Sequence, residues 1–126
     1  MRSNTDWKRN NKIALRNFSE NSDFHDIVKT LLVRMLRRKH PDSHKHPIYT
    51  EFNPEEPHDN YPDIWMRTGT WKKQEIYVYE LQHEITKNWT EQITEKHKDV
   101  NLIIVPLKKL PRQIDKLIKA LEVYIV

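Results

Sequence analysis

Cysteine is absent from the chain. Its absence removes disulfides, thiolate metal sites and cysteine nucleophiles, and gives no support for a disulfide-stapled extracellular life. An intracellular, cytoplasmic location is the default expectation. Long apolar runs are missing as well. No stretch approaches the ~20 apolar residues that a membrane span requires, and Met1-Arg2-Ser3-Asn4-Thr5-Asp6 lacks the apolar core of a secretory signal. The reading is a soluble protein with no membrane partner. There is a single glycine, Gly69, which makes Thr68-Gly69-Thr70 the expected tight turn.

The 126 residues suit one domain with one modest core. Charged residues make up 32% and apolar ones 37%, yet the apolar residues fall in periodic blocks, so the chain should fold. A net charge of +4 and a pI near 9.3 favour a polyanionic partner through phosphate contacts and counterion release.

Residues 1–20 mix Arg, Lys and Asn with few apolar groups and read as a basic arm, with Trp7, Ile13 and Leu15 docking locally; residues 21–126 read as the domain. With Asn21-Ser22 as cap, Phe24, Ile27, Val28, Leu31, Leu32, Met35 and Leu36 recur at the spacing of one buried helical face, which ends at Arg37-Arg38-Lys39 before Pro41. A proline-rich loop follows, carrying a short strand at 48–52. Further strands are expected at 63–66 and 76–81, forming an antiparallel meander. Ile76 and Val78 alternate with Tyr77, Tyr79 and Leu81, so that strand is central and covered on both faces. A helix capped by Thr86 or by Asn88-Trp89-Thr90-Glu91 leads to an apolar strand at 100–105, parallel to the one before it, and Pro111 opens a final helix with Ile114, Leu117, Ile118 and Leu121 on one face.

Period two puts Glu80 and Gln82 on the face of Ile76 and Val78, at the end of an otherwise buried strand. An unpaired carboxylate there costs several kcal/mol, so it calls for a cation, a metal or an exit to water. Asp63 opens the preceding strand, and antiparallel pairing would bring it beside Glu80. Two carboxylates with a main-chain carbonyl such as that of Leu81 offer the oxygen ligands that Mg²⁺ prefers.

Pro62-Asp63 followed on the next strand by Glu80-Leu81-Gln82, inside an αβββαβ order, resembles the PD-(D/E)xK nuclease superfamily. That superfamily takes in restriction endonucleases, archaeal Holliday-junction resolvases and small archaeal and viral nucleases. The resemblance spans roughly Asn21 to Lys108. It implies an α/β, restriction-endonuclease-like αβββαβ core, here with an added C-terminal helix, and metal-dependent hydrolysis of nucleic acid, DNA ahead of RNA, in the host cell if the source is viral. Asp63, Glu80 and the Leu81 carbonyl would hold Mg²⁺ or Mn²⁺. Gln82 stands where the family usually has a lysine that activates water and offsets phosphate charge, a role left to a neighbour such as Lys87 or Lys96. Asp26 is the preferred acidic residue of the first helix, ahead of Asp23 and Glu20. Arg34, Arg37 and Arg38 are candidate phosphate contacts, equally readable as basic residues complementing a helix dipole. By analogy with nucleases that cut two strands, a homodimer is a further expectation.

Blander readings stand beside these. Asp63 capping a turn and Glu80 in a surface pair would carry no chemistry. His40, His44, His46 and His58 match no zinc spacing, and His25 reads as a packed boundary residue. Tyr79 and His83 are structural in this reading, and Trp65, Trp71 and Trp89 are packing residues. The alternatives to an enzyme are a catalytically inactive nuclease-like module binding nucleic acid or protein, and a partner-binding protein that touches no nucleic acid.

Overall fold

A computed structural model of the chain describes residues 9–14, 20–55, 61–70 and 72–126. Trp7, Leu15, His58 and Trp71 lie outside the described residues, as do the side chains of Glu20 and Asn21. The order is α1 (Glu20–Lys39), β1 (Ile48–Thr50), β2 (Ile64–Thr70), β3 (Lys73–Gln82), α2 (Lys87–Lys96), β4 (Asn101–Pro106) and α3 (Ile114–Leu121), with single 3₁₀ turns at Leu107–Lys109 and Glu122–Tyr124. The described residues are thus mixed α/β, with one open four-stranded sheet and three helices. No helix among the described residues is long and apolar enough to cross a membrane.

The sheet runs β1-β2-β3-β4: β1, β2 and β3 pair antiparallel, and β4 lies parallel to β3 after the α2 crossover. Tyr77, Tyr79 and Leu81 point to the larger core, Ile76 and Val78 to the smaller, so β3 is covered on both faces as its alternation predicts. The larger core packs Phe24, Val28, Leu32 and Leu36 of α1, and Leu117 and Leu121 of α3, against Ile48, Ile64, Met66 and Tyr79. Each fully buried aliphatic side chain in it contributes about 1.5–3 kcal/mol. The smaller core is Tyr49, Phe52, Trp65 and Val78 with Ile76, Val100 and Leu102.

Four departures from the sequence reading have physical causes. The buried face of α1 is turned toward His25, Lys29 and Val33, which are buried, and away from Ile27, which is 48% exposed. β2 and β3 outrun their apolar segments because ladder hydrogen bonds extend the hairpin through polar, partly or fully exposed pairs as far as Thr70↔Lys73. The reversal therefore falls beyond Thr70, while Gly69 remains paired with Gln74 at φ +91°, and a Cβ there would overlap the Lys73 carbonyl. β4 is an edge strand rather than a fully covered one, and only Val105 is completely buried. On α3, Leu117 and Leu121 are buried but Ile114 and Ile118 face outward, and the helix starts at Ile114, three residues after Pro111. At α2 the cap is Thr86, whose Oγ1 accepts from the Trp89 amide at 3.1 Å.

Residues 9–14 run along β1. The Asn11 amide donates to the Ile48 carbonyl at 3.0 Å, Asn10 Oδ1 accepts from the Ile48 amide at 2.9 Å, and Thr50 Oγ1 accepts from the Ala14 amide at 2.8 Å.

Candidate metal centre

Asp63 lies between Pro62 and the first residue of β2, at the mouth of the β2–β3 ladder. The ladder reaches Ile64↔Tyr79, and beyond it the Leu81 amide, with no β2 carbonyl in register, donates instead to Asp63 Oδ2 at 2.6 Å. This bond fixes the Asp63 carboxylate, only 2% of the residue being exposed. The main-chain carbonyl of Asp63 accepts from the Glu51 amide at 3.2 Å. Glu51 follows β1 at φ +50°, a left-handed conformation uncommon for glutamate, and so turns its side chain inward at the sheet edge.

Two helical residues complete the group. His25 is 3% exposed, and its Nε2 stands 3.1 Å from Asp63 Oδ1 but off the line a hydrogen bond needs, so Nε2 has no hydrogen-bond partner. The other ring nitrogen, Nδ1, lies 3.3 Å from Asp26 Oδ1. One turn further on, Lys29 is fully buried; its Nζ donates to the Ala14 carbonyl and lies 3.3 Å from Glu51 Oε1 and 3.5 Å from Asp26 Oδ1. Donor atoms of His25, Glu51 and Asp63 all lie within 4.8 Å of one another. That is about twice a metal–ligand bond, so one ion could touch all three.

The residues singled out in the sequence divide around this centre. Asp63 is part of it. Asp26 supports it by standing against His25 and Lys29. Glu80 is not among the three converging donors: its side chain, 14% exposed, stands 3.3 Å from His97 Nε2. Burial pushes the Glu80 carboxyl above the ordinary range, the His97 contact pulls it back, and the Asp63 charge pushes it up further, so the two carboxylates do sense each other. Leu81 takes part through its N–H, bonded to Asp63. Gln82 is half-buried, donates to the Glu84 carbonyl at 3.2 Å, and lines a cleft of about 370 Å³ together with Ser22, His25 and Leu81.

Among the basic residues, Arg34 and Arg38 are exposed on α1, whereas Arg37 is spent on Asn11 Oδ1 at 2.8 Å and the His40 carbonyl at 3.0 Å. Lys87 and Lys96 are exposed on α2, and Lys96 is near enough to Glu80 to favour its ionised form. His40 and His46 stack edge to face at 5.1 Å and, among the described residues, belong to no cluster of metal-ligating groups. Trp65 is core and Trp89 half-buried. The Tyr79 hydroxyl donates to the Tyr124 carbonyl, and burial holds its pKa far above the usual phenol value.

His25, Glu51 and Lys29 were missed by sequence reasoning. The available signal was the pair His25 and Lys29, four apart on a helix and each adjacent to a core position, Phe24 and Val28. No family model, curated protein or solved structure matches this chain.

Proposed function

We propose that the chain is a divalent-metal-dependent phosphodiesterase acting on nucleic acid, DNA ahead of RNA, with the PD-(D/E)xK layout. The observation that carries the reading is the convergence of His25, Glu51 and Asp63 at the end of the β2–β3 ladder, beside a polar cleft and within an αβββαβ order. A bound divalent ion would polarise the phosphate and lower the pKa of a coordinated water. The chain's own groups supply the rest. Asp63 is held rigid by the Leu81 amide. Lys29 provides the buried positive charge that Gln82 lacks, which makes it a better substitute for the family's lysine than Lys87 or Lys96, both exposed. Glu80, less acidic than an ordinary carboxylic acid, is suited to accept a proton from water, with His97 orienting it.

The alternative, a catalytically inactive nuclease-like module, draws support from Gln82 itself and from the engagement of Glu80 by His97. Linear and branched DNAs incubated with Mg²⁺ or Mn²⁺ separate the two. The enzyme reading expects cleavage that Asp63→Asn reduces to background and Glu80→Gln slows on the order of 100-fold. DNA binding without cleavage under either ion, unchanged in both variants, would establish the binding module instead.

A further inference from the structure

We infer that the centre formed by His25, Glu51 and Asp63 selects a first-row transition ion, Zn²⁺ or Mn²⁺, over Mg²⁺; the inference rests on the metal-dependent reading above but concerns which ion is held. The donor chemistry comes first. One imidazole nitrogen and two carboxylates are a mixed set, whereas Mg²⁺ favours oxygen donors and water; nitrogen donors shift affinity along the order Mg²⁺, Mn²⁺, Zn²⁺.

The geometry at His25 is the second support. His25 Nε2, buried and without a hydrogen-bond partner, stands 3.1 Å from Asp63 Oδ1, while Nδ1 on the other side of the ring lies 3.3 Å from Asp26 Oδ1. A bound ion would give that buried nitrogen the partner it lacks. A carboxylate behind the imidazole also fixes the ring and raises its basicity toward a metal.

The test is titration of the full chain with ZnCl₂, MnCl₂ and MgCl₂ by isothermal calorimetry. One Zn²⁺ or Mn²⁺ per chain is expected, with Mg²⁺ at least ~10-fold weaker, and His25→Gln should cost ~10-fold or more for Zn²⁺ and Mn²⁺ while leaving Mg²⁺ nearly unchanged. Asp26→Asn should weaken Zn²⁺ about 10- to 100-fold. If His25→Gln does not fold, as judged by circular dichroism, Mn²⁺ broadening of the His25 imidazole resonances in the unaltered protein takes its place. Mg²⁺ binding as tight as Mn²⁺, or His25 signals untouched by Mn²⁺, would overturn the inference. DNA cleavage with a Mg²⁺ preference indifferent to His25 would overturn it while leaving the nuclease reading intact; tight Zn²⁺ and Mn²⁺ binding through His25 without cleavage of any DNA would support it and remove that reading.

Discussion

Replacing Asp63 by alanine and by asparagine separates its two jobs. In the alanine variant the Leu81 amide, which now donates to Asp63 Oδ2 at 2.6 Å in a buried position, has no acceptor. An orphaned buried donor costs about 1–3 kcal/mol, and relief of the repulsion between Asp63 and Glu80 returns part of this, so a net loss of about 2 kcal/mol is expected. For 126 residues at roughly 2.1 cal/mol/K each, that lowers the Tm by about 8 °C. Asparagine keeps an oxygen for Leu81, so Asp63→Asn should cost less than about 1 kcal/mol. Urea unfolding in EDTA measures both. Repeated with metal at ~100 times its Kd, the unaltered protein should gain about 2.7 kcal/mol and both variants nothing. If asparagine proves as damaging as alanine, or alanine costs under ~0.5 kcal/mol, the claim that the Leu81 bond anchors this carboxylate is wrong.

Three further outcomes follow from the same geometry. Lys29→Met should destabilise by about 2–3 kcal/mol, below the usual cost of breaking a buried pair because Glu51 and Asp26 keep some access to water; in a double-mutant cycle Glu51→Gln should recover at least ~1 kcal/mol. Gly69→Ala should lose about 1–3 kcal/mol in chemical denaturation, since it places a side chain at φ +91° against the Lys73 carbonyl; a neutral result would mean that the hairpin relaxes freely. Because the folded pKa of Glu80 is raised, its contribution to stability is complete below the ordinary carboxylate value and is lost as pH rises through the raised one. Glu80→Gln should therefore raise Tm most near neutrality, with the gain shrinking toward about pH 4; a gain independent of pH would contradict this.

The sheet was legible because its signals are local. Alternation along 76–81 identified a strand covered twice, and Thr86 supplied a recognisable cap. Strand ends were less legible, because the pairs from Thr68↔Glu75 to Thr70↔Lys73 are held by backbone bonds that leave no mark in hydrophobicity. Asp63 could be found because Pro-Asp before a strand is a readable pattern. Its companions could not. His25 and Lys29 lie on the inner side of a helix that carries enough apolar residues to suggest a stripe one position away, and the left-handed turn that brings Glu51 in depends on tertiary structure, not on any glycine or asparagine at that position. Glu80 was correctly read as a carboxylate in an expensive place, but the partner beside it, His97, comes from the far end of α2.

The stretch 9–14 occupies the outer rim of β1 and lends a carbonyl to Lys29. A protein trimmed to start at residue 20 would therefore lose more than a cationic tail. It would bare the Ile48 amide and carbonyl on an edge strand, an invitation to stack with neighbours into aggregates, and would slacken the lysine that steadies Glu51.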